Sequence, residues 1–175
     1  MEMLGVKDLV VRPADGEEKA ADGLAPAELV QALASHKAHE VALRSDPGDV
    51  IVAADTIVWL ENRVYGKPKD EREAAAMLLA LSGHTHEVFT GVSVIRGGQE
   101  LTRAVRSEVR FRSLTEHEIA AYIATGEPMD KAGAYGAQGK AALFVESITG
   151  DFFNVMGLPL CTLGLMLREQ GVELL

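Results

Sequence analysis

The side chain best suited to chemistry in this 175-residue chain is Asp55, which directly follows the apolar run at residues 50–54. Such a run is typical of a buried strand, and open α/β sheets place ligand-binding and catalytic groups at strand ends. A carboxylate there can accept a proton from water, hold a divalent cation, or do both in a phosphate-ester reaction. The alternative is an aspartate that only caps the following turn.

Two lysines and two glutamates carry the charges that would complete such a site. Lys67 lies in a Gly-Lys-Pro segment between a predicted hairpin and a predicted helix, so its backbone is constrained. Lys37 lies on a predicted helix, where a solvated lysine is the simpler interpretation. Glu17 and Glu18 fit an ordinary solvated loop pair, although one of them could give a metal ion a second carboxylate.

The stretch at residues 130–159, which begins with the glycine-rich segment DKAGAYGAQGK at 130–140, is the part of the chain that packing explains least. The three glycines of this segment at three-residue intervals indicate tight turns or a close approach of the backbone to a ligand. An ordinary glycine-rich turn is the alternative interpretation. The closing Gly-Lys does not make a Walker A loop, because Ala134 and Ala141 occupy positions where that motif needs a glycine and a hydroxyl residue.

The net charge of the chain limits the classes of molecule that it is expected to bind. The chain has 17 basic and 26 acidic residues and a formal net charge of −9, so a nucleic-acid polymer is not an expected partner. Any phosphate-binding site must therefore be local. His84 and His86 are two residues apart and lack the spacing of a helical zinc pair, and no cysteine cluster joins them.

The expected environment is the cytoplasm. Cys161 is the single cysteine, which excludes an intrachain disulfide, and the sequence shows no secretory leader. The apolar runs are shorter than the roughly 18 residues that a membrane span needs, so no membrane association is expected. With 47% hydrophobic residues at this length, we expect residues 1–175 to form one domain with a sizeable core.

The predicted elements show no regular βαβ repeat, which favours a mixed α/β sheet. Pro26 in a first turn, and a capping box formed by Thr115 and Glu118, each mark the start of a helix. Helices are expected at about 26–44, 70–81, 115–124 and 158–169, and the first residues, MEMLGV, are expected to end another. Strands are expected at 9–11, 50–54, 57–60, 63–65, 86–95, 100–112 and 143–145.

A series of motifs resembles the Maf family of nucleoside triphosphate pyrophosphatases. In order they are LASHKA with Lys37, ADT with Asp55 and Thr56, Gly66-Lys67-Pro68, LSG with His86, Thr90-Gly91-Val92, DKAGAYGAQG, and NVMGLP at 154–159. The match runs from about Leu4 to the C-terminus. This resemblance implies a mostly antiparallel sheet flanked by helices, in a Maf/Ham1 architecture with two lobes around a central cleft, and a homodimer.

The resemblance also implies roles for individual residues. The segment DKAGAYGAQG is similar to the subgroup that hydrolyses dTTP and UTP, and differs from the subgroup that acts on 7-methyl-GTP. The implied roles are proton acceptor and metal ligand for Asp55, base selection for Thr56 and Gln138, and binding of phosphates and metal for Glu18, Lys37 and Lys67. An amide such as that of Gln138 can present both a donor and an acceptor to a pyrimidine edge.

The implied reaction is attack of water at the α-phosphorus, which releases the nucleoside monophosphate and pyrophosphate. A divalent cation, Mg²⁺ or Mn²⁺, is the expected cofactor, because it would offset the charge on the phosphates. The implied role is removal of non-canonical or surplus pyrimidine nucleotides. Two alternatives stay open: a pyrophosphatase that prefers modified pyrimidine nucleotides, and a non-catalytic nucleotide-binding regulator of cell division or septum formation.

One part of the family pattern has no counterpart in this sequence. Maf proteins open with a strand and the motif S-x-S-P-R-R, whose hydroxyls and arginines hold the triphosphate, and MEMLGV is similar to the helix end that follows it. Either the true start lies upstream and the enzyme is ordinary, or the chain is genuinely short and is a weak enzyme or a nucleotide-binding, division-related protein without catalysis. Loss of this phosphate clamp and strand would weaken binding and expose backbone edge groups.

Overall fold

The computed structural model describes residue 6, residues 8–14 and residues 23–174. Glu17 and Glu18, and almost all of the helix end expected in MEMLGV, lie outside the described residues. Within the described ranges, no helix is both long enough and apolar enough to cross a membrane.

Most helices and strands follow one another in the order that the sequence predicted. The exceptions are that no strand forms at 9–11, that the strands expected at 50–54 and 57–60 are one strand, and that a short helix at Phe152–Val155 was not predicted. The helices are α1 (Pro26–Ala42), α2 (Glu71–Leu81), α3 (Glu116–Ile123), α4 (Phe152–Val155) and α5 (Leu160–Glu169). The strands are β1 (Val50–Leu60), β2 (Arg63–Tyr65), β3 (Thr85–Arg96), β4 (Gln99–Phe111) and β5 (Val145–Thr149). Short 3-10 turns at Glu127–Asp130, Ala132–Ala134 and Lys140–Leu143 carry the glycine-rich segment.

Side-chain caps fix where α2 and α3 begin. The hydroxyl of Thr115 accepts a hydrogen bond from the backbone N–H of Glu118 at 3.2 Å, and the Glu118 carboxylate accepts one from the Thr115 N–H at 2.9 Å. Asp70 accepts a hydrogen bond from the Glu73 N–H at 2.8 Å at the start of α2. These bonds satisfy backbone donors that a helix leaves unpaired in its first turn. The predicted capping box is therefore confirmed.

The strands form a five-stranded sheet in the order β2-β1-β3-β4-β5. β1 pairs antiparallel with β2, with Val58 opposite Tyr65, and β4 pairs antiparallel with β5. The two-residue connections at 61–62 and 97–98 have positive φ, as tight hairpins require. The predicted mixed α/β fold, with a mostly antiparallel sheet flanked by helices, is confirmed; the central cleft stays a prediction.

The chain divides into two compact units. The first unit comprises Met1–Asp55, Gly91–Ala104 and Leu160–Leu175, and the second comprises Thr56–Thr90 and Val105–Pro159. Because β1, β3 and β4 are long, each of these strands contributes residues to both units.

Each unit has its own apolar core. In the first unit, Ala38 of α1 packs with Ile51 and Ile95 from two strands. In the second unit, the rings of Phe111 and Tyr135 meet edge to face, with centroids 4.8 Å apart, inside a core that α2 and α3 cover. Edge-to-face aromatic pairs add to the free energy gained from burial alone. The second unit is thus built around buried aromatic rings that adjoin the glycine-rich segment.

The expectation that Asp55 ends its strand was wrong. β1 runs to Leu60, so Asp55 lies in the interior of the strand. The strand continues because Ile57 and Val58 are β-branched and buried, and because its last three residues pair with β2. A place at the end of a strand therefore does not support a catalytic role for Asp55; its contacts are the evidence that remains.

The predicted strand at residues 9–11 was also wrong. These residues are outside any strand, and Val11 is 83% exposed. The segment is attached through Arg12, whose guanidinium donates hydrogen bonds to the backbone oxygen of Arg44 and, at 3.1 Å, to the hydroxyl of Ser45. Three apolar residues were too short a pattern to distinguish a strand from an extended segment held by side chains.

Two smaller differences concern the C-terminal third of the chain. The strand predicted at 143–145 begins only at Val145, because the preceding residues form a 3-10 turn. The short helix α4 was not predicted; the side chain of Asp151 caps it by accepting a hydrogen bond from the Phe153 N–H at 2.8 Å.

Candidate functional site

The second unit contains a cavity of about 280 Å³. This volume is near the lower end of the range for sites that bind small organic ligands, and such sites combine apolar walls with a few polar groups. The lining residues fit that description: Thr56, Val58, Val88, Asp130, Lys131, Ala132, Tyr135, Gly136, Ala137, Gln138, Val155, Met156 and Gly157. The cavity is therefore a candidate binding site for a small ring-containing ligand.

The backbone of the glycine-rich segment follows a tight course that glycine makes possible. Gly133 has a φ of +67°, and a Cβ added to it would lie 2.8 Å from the Cγ2 atom of Val58. Its N–H donates to the backbone oxygen of Gly66 at 3.0 Å. The segment is thus packed against β1 and anchored to the loop that carries Lys67. The close approach that the glycines predicted is, at Gly133, an approach to protein atoms.

Tyr122 and Glu127 hold the other half of this segment. The Tyr122 hydroxyl donates to the Glu127 carboxylate at 2.9 Å and accepts from the N–H of Gly136 at 3.2 Å. The same carboxylate accepts from the N–H of Lys140 at 3.1 Å. Burial raises the pKa of the Tyr122 hydroxyl, which keeps it protonated as the donor in this arrangement. These bonds fix the backbone on both sides of Gln138.

A buried histidine supports the cavity wall from behind. The Nε2 atom of His86 lies 2.8 Å from the hydroxyl of Tyr135, and both rings pack edge to face with Phe111. His86 is 1% exposed, and burial lowers its pKa to about 4. The imidazole is therefore neutral at physiological pH, and it positions Tyr135, whose side chain lines the cavity.

We expect the burial of His86 to make the protein less stable as the pH falls from 6.5 to 4. In this window the unfolded chain binds a proton on the imidazole, whereas the folded chain does not, so protonation favours unfolding. The difference between the two pKa values corresponds to a loss of about 3 kcal/mol of unfolding free energy. Urea titrations at pH 7, 5.5 and 4.5 measure it.

Two variants separate His86 from the other titrating groups. His86→Gln should remove most of the pH dependence in this window; His117→Gln, which removes an exposed imidazole, is the matched control. If His86→Gln and the original protein lose stability equally between pH 6.5 and 4, His86 is not the group responsible.

Two lysines, Lys131 and Lys67, lie near Asp130 where the cavity adjoins the Lys67 loop. The ammonium of Lys131, which lines the cavity, lies 2.5 Å from the Asp130 carboxylate. The hydrogen bond from Lys131, with smaller contributions from the charges of Lys131 and Lys67, holds the pKa of Asp130 below its usual value. Lys67 is exposed and therefore accessible to a ligand. Because Asp130 offsets the charge of Lys131, Lys67 is the ammonium here that could attract an anionic group.

A pair of hydroxyl groups forms a second polar feature of the cavity. The Oγ1 atom of Thr56 lies 2.8 Å from the Oγ1 atom of Thr90. Thr90 is fully buried and donates to the backbone oxygen of Asn154 at 2.9 Å. Gln138 is exposed at the edge of the same cavity. The structure thus brings together Thr56 and Gln138, the two residues expected to select the base.

Asp55 forms an ion pair with Lys37 in the first unit. The Lys37 ammonium on α1 donates to the Oδ1 atom of the Asp55 carboxylate, and the two side chains are 23% and 10% exposed. An adjacent ammonium favours the ionised form of a carboxylate, the form that can accept a proton or bind a cation. The solvated-helix interpretation of Lys37 was therefore wrong. The role in binding phosphates and metal that the resemblance implied for Lys37 stays a prediction.

The described residues offer no ready-made metal centre. Across residues 8–14 and 23–174, no three histidine, cysteine, aspartate or glutamate side chains gather closely enough to hold an ion. Glu18, the expected second carboxylate, lies outside the described residues. A single carboxylate is nevertheless compatible with Mg²⁺, which commonly keeps several waters and takes its other ligands from substrate phosphates. Asp55 fits such a site.

Sequence reasoning missed several residues that shape the cavity. Lys131 was not singled out although it directly follows Asp130 in the glycine-rich segment, and Tyr135 was treated only as part of the motif. Thr90 and Asn154 appeared in two separate motifs, with no indication that they touch. Their separation of 64 residues is the reason, since a contact of that range is set by the fold.

Comparison with known proteins agrees with this architecture. The family model described as Maf-like protein matches residues 1–170. A relative from Symbiobacterium thermophilum is 46% identical over 171 residues, which cover 98% of this chain and 87% of the relative. One from Thermococcus gammatolerans is 48% identical over 170 residues, covering 97% and 89%, and one from Bacillus pumilus is 50% identical over 149 residues, covering 85% and 78%. All three carry the name dTTP/UTP pyrophosphatase.

A match over nearly the whole length, together with the mixed sheet and the ordered motifs, decides the classification. The chain belongs to the Maf family.

Proposed function

We propose that this protein hydrolyses dTTP and UTP to the nucleoside monophosphate and pyrophosphate. The observation that carries the proposal is the cavity in the second unit, where Thr56 and Gln138 reach the same space between apolar walls. The names of the relatives, 46–50% identical over most of the chain, support the same substrate class. The test is release of pyrophosphate from each nucleotide in the presence of Mg²⁺.

The base is expected to bind in the cavity. Thymine and uracil are flat rings whose edge alternates carbonyl acceptors with one N–H donor, and a narrow apolar space accommodates the faces of such a ring. The side-chain N–H of Gln138 can donate to a carbonyl of the base, which a carboxylate at that position could not do. Apolar walls formed by Val58, Val88 and Val155 complete the space.

Asp55 is the proposed proton acceptor. A water molecule attacks the α-phosphorus while Asp55 takes one of its protons, and the bond from the α-phosphorus to the oxygen bridging to the β-phosphorus breaks, so that pyrophosphate leaves. Lys37 holds the carboxylate in place through the ion pair. Lys37 and Lys67 supply positive charge for the phosphate oxygens.

A divalent cation, Mg²⁺ or Mn²⁺, is part of this proposal. When bound, it would neutralise charge on the phosphates and so lower the barrier to attack. Asp55 is the described residue that would hold it, and Glu18 would add a second carboxylate. Activity should disappear on chelation with EDTA and return when Mg²⁺ is added; activity that persists in EDTA would contradict the metal requirement.

The homodimer and the cytoplasmic location expected from the sequence remain part of the same proposal. Light scattering coupled to size exclusion would give a mass near twice 18.7 kDa for a dimer. A mass of one chain at micromolar concentration would count against it.

Gln138→Glu is expected to lower kcat/KM for UTP about 10–100-fold, because a carboxylate repels the carbonyl oxygens of the base and cannot donate a hydrogen bond. The matched control is Gln99→Glu, which adds the same charge at an exposed position in the β3–β4 hairpin and should leave kcat/KM within twofold of the original. An unaltered substrate profile in Gln138→Glu would show that this side chain does not contact the base.

A further inference from the structure

A series of hydrogen bonds leads from the cavity into the interior of the second unit. It begins at Thr56, which lines the cavity, and passes to the Thr90 hydroxyl at 2.8 Å. Thr90 is 0% exposed, and its hydroxyl donates the next hydrogen bond, to the backbone oxygen of Asn154 at 2.9 Å. Within the described residues, Thr56 Oγ1 has no other hydrogen-bond partner. The remaining hydrogen-bonding capacity of Thr56 is therefore available to a ligand.

The direction of each bond in this series is fixed by chemistry. A backbone carbonyl oxygen can only accept, so Thr90 must donate its single hydroxyl hydrogen to Asn154. Thr90 then has only lone pairs to offer Thr56, and the contact between the two hydroxyls requires Thr56 to be the donor. Thr56 has thereby used its own hydrogen. What it presents to the cavity is an acceptor.

Asn154, the last residue in this series of hydrogen bonds, is itself held in place by further bonds. The side-chain amide of Asn154 donates to the backbone oxygen of Val88 at 3.1 Å and to the hydroxyl of Ser107 at 3.0 Å. Ser107 in turn donates to the backbone oxygen of Asp151 at 2.9 Å. Because Asn154 is 0% exposed and tied to two strands, its backbone oxygen cannot easily turn away from Thr90. The direction of the bonds is therefore a stable property of the fold.

Gly157 leaves the space beside the Thr56 hydroxyl unfilled. Gly157 has a φ of +95°, and a Cβ added there would lie 3.4 Å from Thr56 Oγ1. The absence of a side chain at residue 157 leaves space beside the hydroxyl oxygen, at the cavity wall that both residues share.

We propose that Thr90, held by Asn154, is a positioning residue that fixes Thr56 as a hydrogen-bond acceptor for the ring N–H of an imide base. This inference rests on the proposed function, in that it places the base beside Thr56. Uracil and thymine carry a hydrogen on N3, which can donate to Thr56. Cytosine carries a lone pair on N3, which would face the lone pairs of Thr56. The arrangement selects for dTTP and UTP and against cytidine nucleotides, and it accepts modified pyrimidines that keep the N–H.

A purely structural role for Thr90 predicts something different. A buried threonine could serve only to satisfy the Asn154 oxygen, in which case its removal would lower stability and reduce turnover of all nucleotides by the same factor. Orientation of Thr56 instead changes the ratio between two substrates. The ratio of kcat/KM for UTP to that for CTP is thus the readout that distinguishes the two roles.

The experiment compares Thr90→Val with Thr90→Ser in the full chain. Valine has nearly the shape of threonine but cannot accept from Thr56, so the Thr56 hydroxyl becomes free to rotate and donate to cytosine N3. We expect the UTP-to-CTP ratio to fall about tenfold or more, the effect of one well-placed hydrogen bond, through changes in KM. Serine keeps the hydroxyl and should retain the original ratio within about twofold.

The proposal is overturned if Thr90→Val folds and keeps the original ratio. Should that variant fail to fold, Thr56→Val gives the decision, because it removes the acceptor itself at a partly exposed position. An unchanged UTP-to-CTP ratio in Thr56→Val would equally overturn the proposal.

A binding measurement separates failure of this inference from failure of the proposed function. Calorimetric titration of the full chain with UMP and with CMP needs no hydrolysis. Tighter binding of UMP that Thr90→Val abolishes supports the inference even if neither dTTP nor UTP is hydrolysed. Equal binding of UMP and CMP by the original protein contradicts the inference, whether or not the protein is a pyrophosphatase.

Discussion

Asp55→Asn should reduce hydrolysis of dTTP and UTP by about 10²–10⁴-fold, the range that a positioned general base contributes. The amide of asparagine cannot take a proton from water, and it is a poorer ligand for a divalent cation than a carboxylate. Its oxygen can still accept a hydrogen bond from the Lys37 ammonium, so the contact between α1 and β1 should persist. We therefore expect the fold, and the binding of nucleotide without metal, to be largely retained.

Three measurements make this prediction specific. Turnover should fall while the melting temperature changes by only a few degrees and the affinity for UMP stays within a few-fold. The control variant Asp46→Asn makes the same chemical change at an exposed turn just before β1 and should keep full activity. If Asp55→Asn turned over dTTP at the original rate, Asp55 would not be the proton acceptor.

Among the glycines that the structure describes in the first unit, Gly91 is the one where replacement by alanine is expected to be most destabilising. A Cβ at this position would lie 2.0 Å from the backbone oxygen of Val30 and 2.3 Å from its carbonyl carbon. These are backbone atoms of α1, so no side chain can rotate away to make room, and the helix itself would have to move. We expect a loss of about 3 kcal/mol or more in unfolding free energy.

The matched control is Gly164→Ala in α5. A Cβ there would meet no atom within 4 Å, and alanine has a higher helix propensity than glycine. This variant should gain roughly 0.5–1 kcal/mol, the usual difference between the two residues inside a helix. Urea unfolding of both variants gives the comparison. A Gly91→Ala protein as stable as the original would mean that α1 does not pack as closely on β3 as the structure shows.

Local sequence patterns predicted most of the elements because local interactions set them. The capping box of Thr115 and Glu118 and the cap at Asp70 involve residues three positions apart, so their geometry is contained in the sequence. The hairpin turn at 97–98 follows from two glycines that tolerate positive φ. Where only a short apolar run was available, as at residues 9–11, the pattern did not specify a strand, because pairing depends on a partner far along the chain.

The candidate site shows the same limit. The motifs identified Thr56, Gln138 and Asp55, but the bond from Thr90 to Asn154 spans 64 residues and the bond from Thr56 to Thr90 spans 34. Those contacts decide whether the Thr56 hydroxyl donates or accepts. The residue types were therefore predictable from the sequence, whereas the direction of the hydrogen bonds required the fold.

The phosphate product distinguishes a pyrophosphatase from other nucleotide hydrolases. The protein is incubated with dTTP, UTP, CTP and dATP in Mg²⁺, and pyrophosphate and orthophosphate are measured separately. We expect pyrophosphate and the nucleoside monophosphate from dTTP and UTP, with slower release from CTP and dATP. Release of orthophosphate, or no product from dTTP and UTP at protein concentrations where the same preparation is folded, would contradict the proposed function.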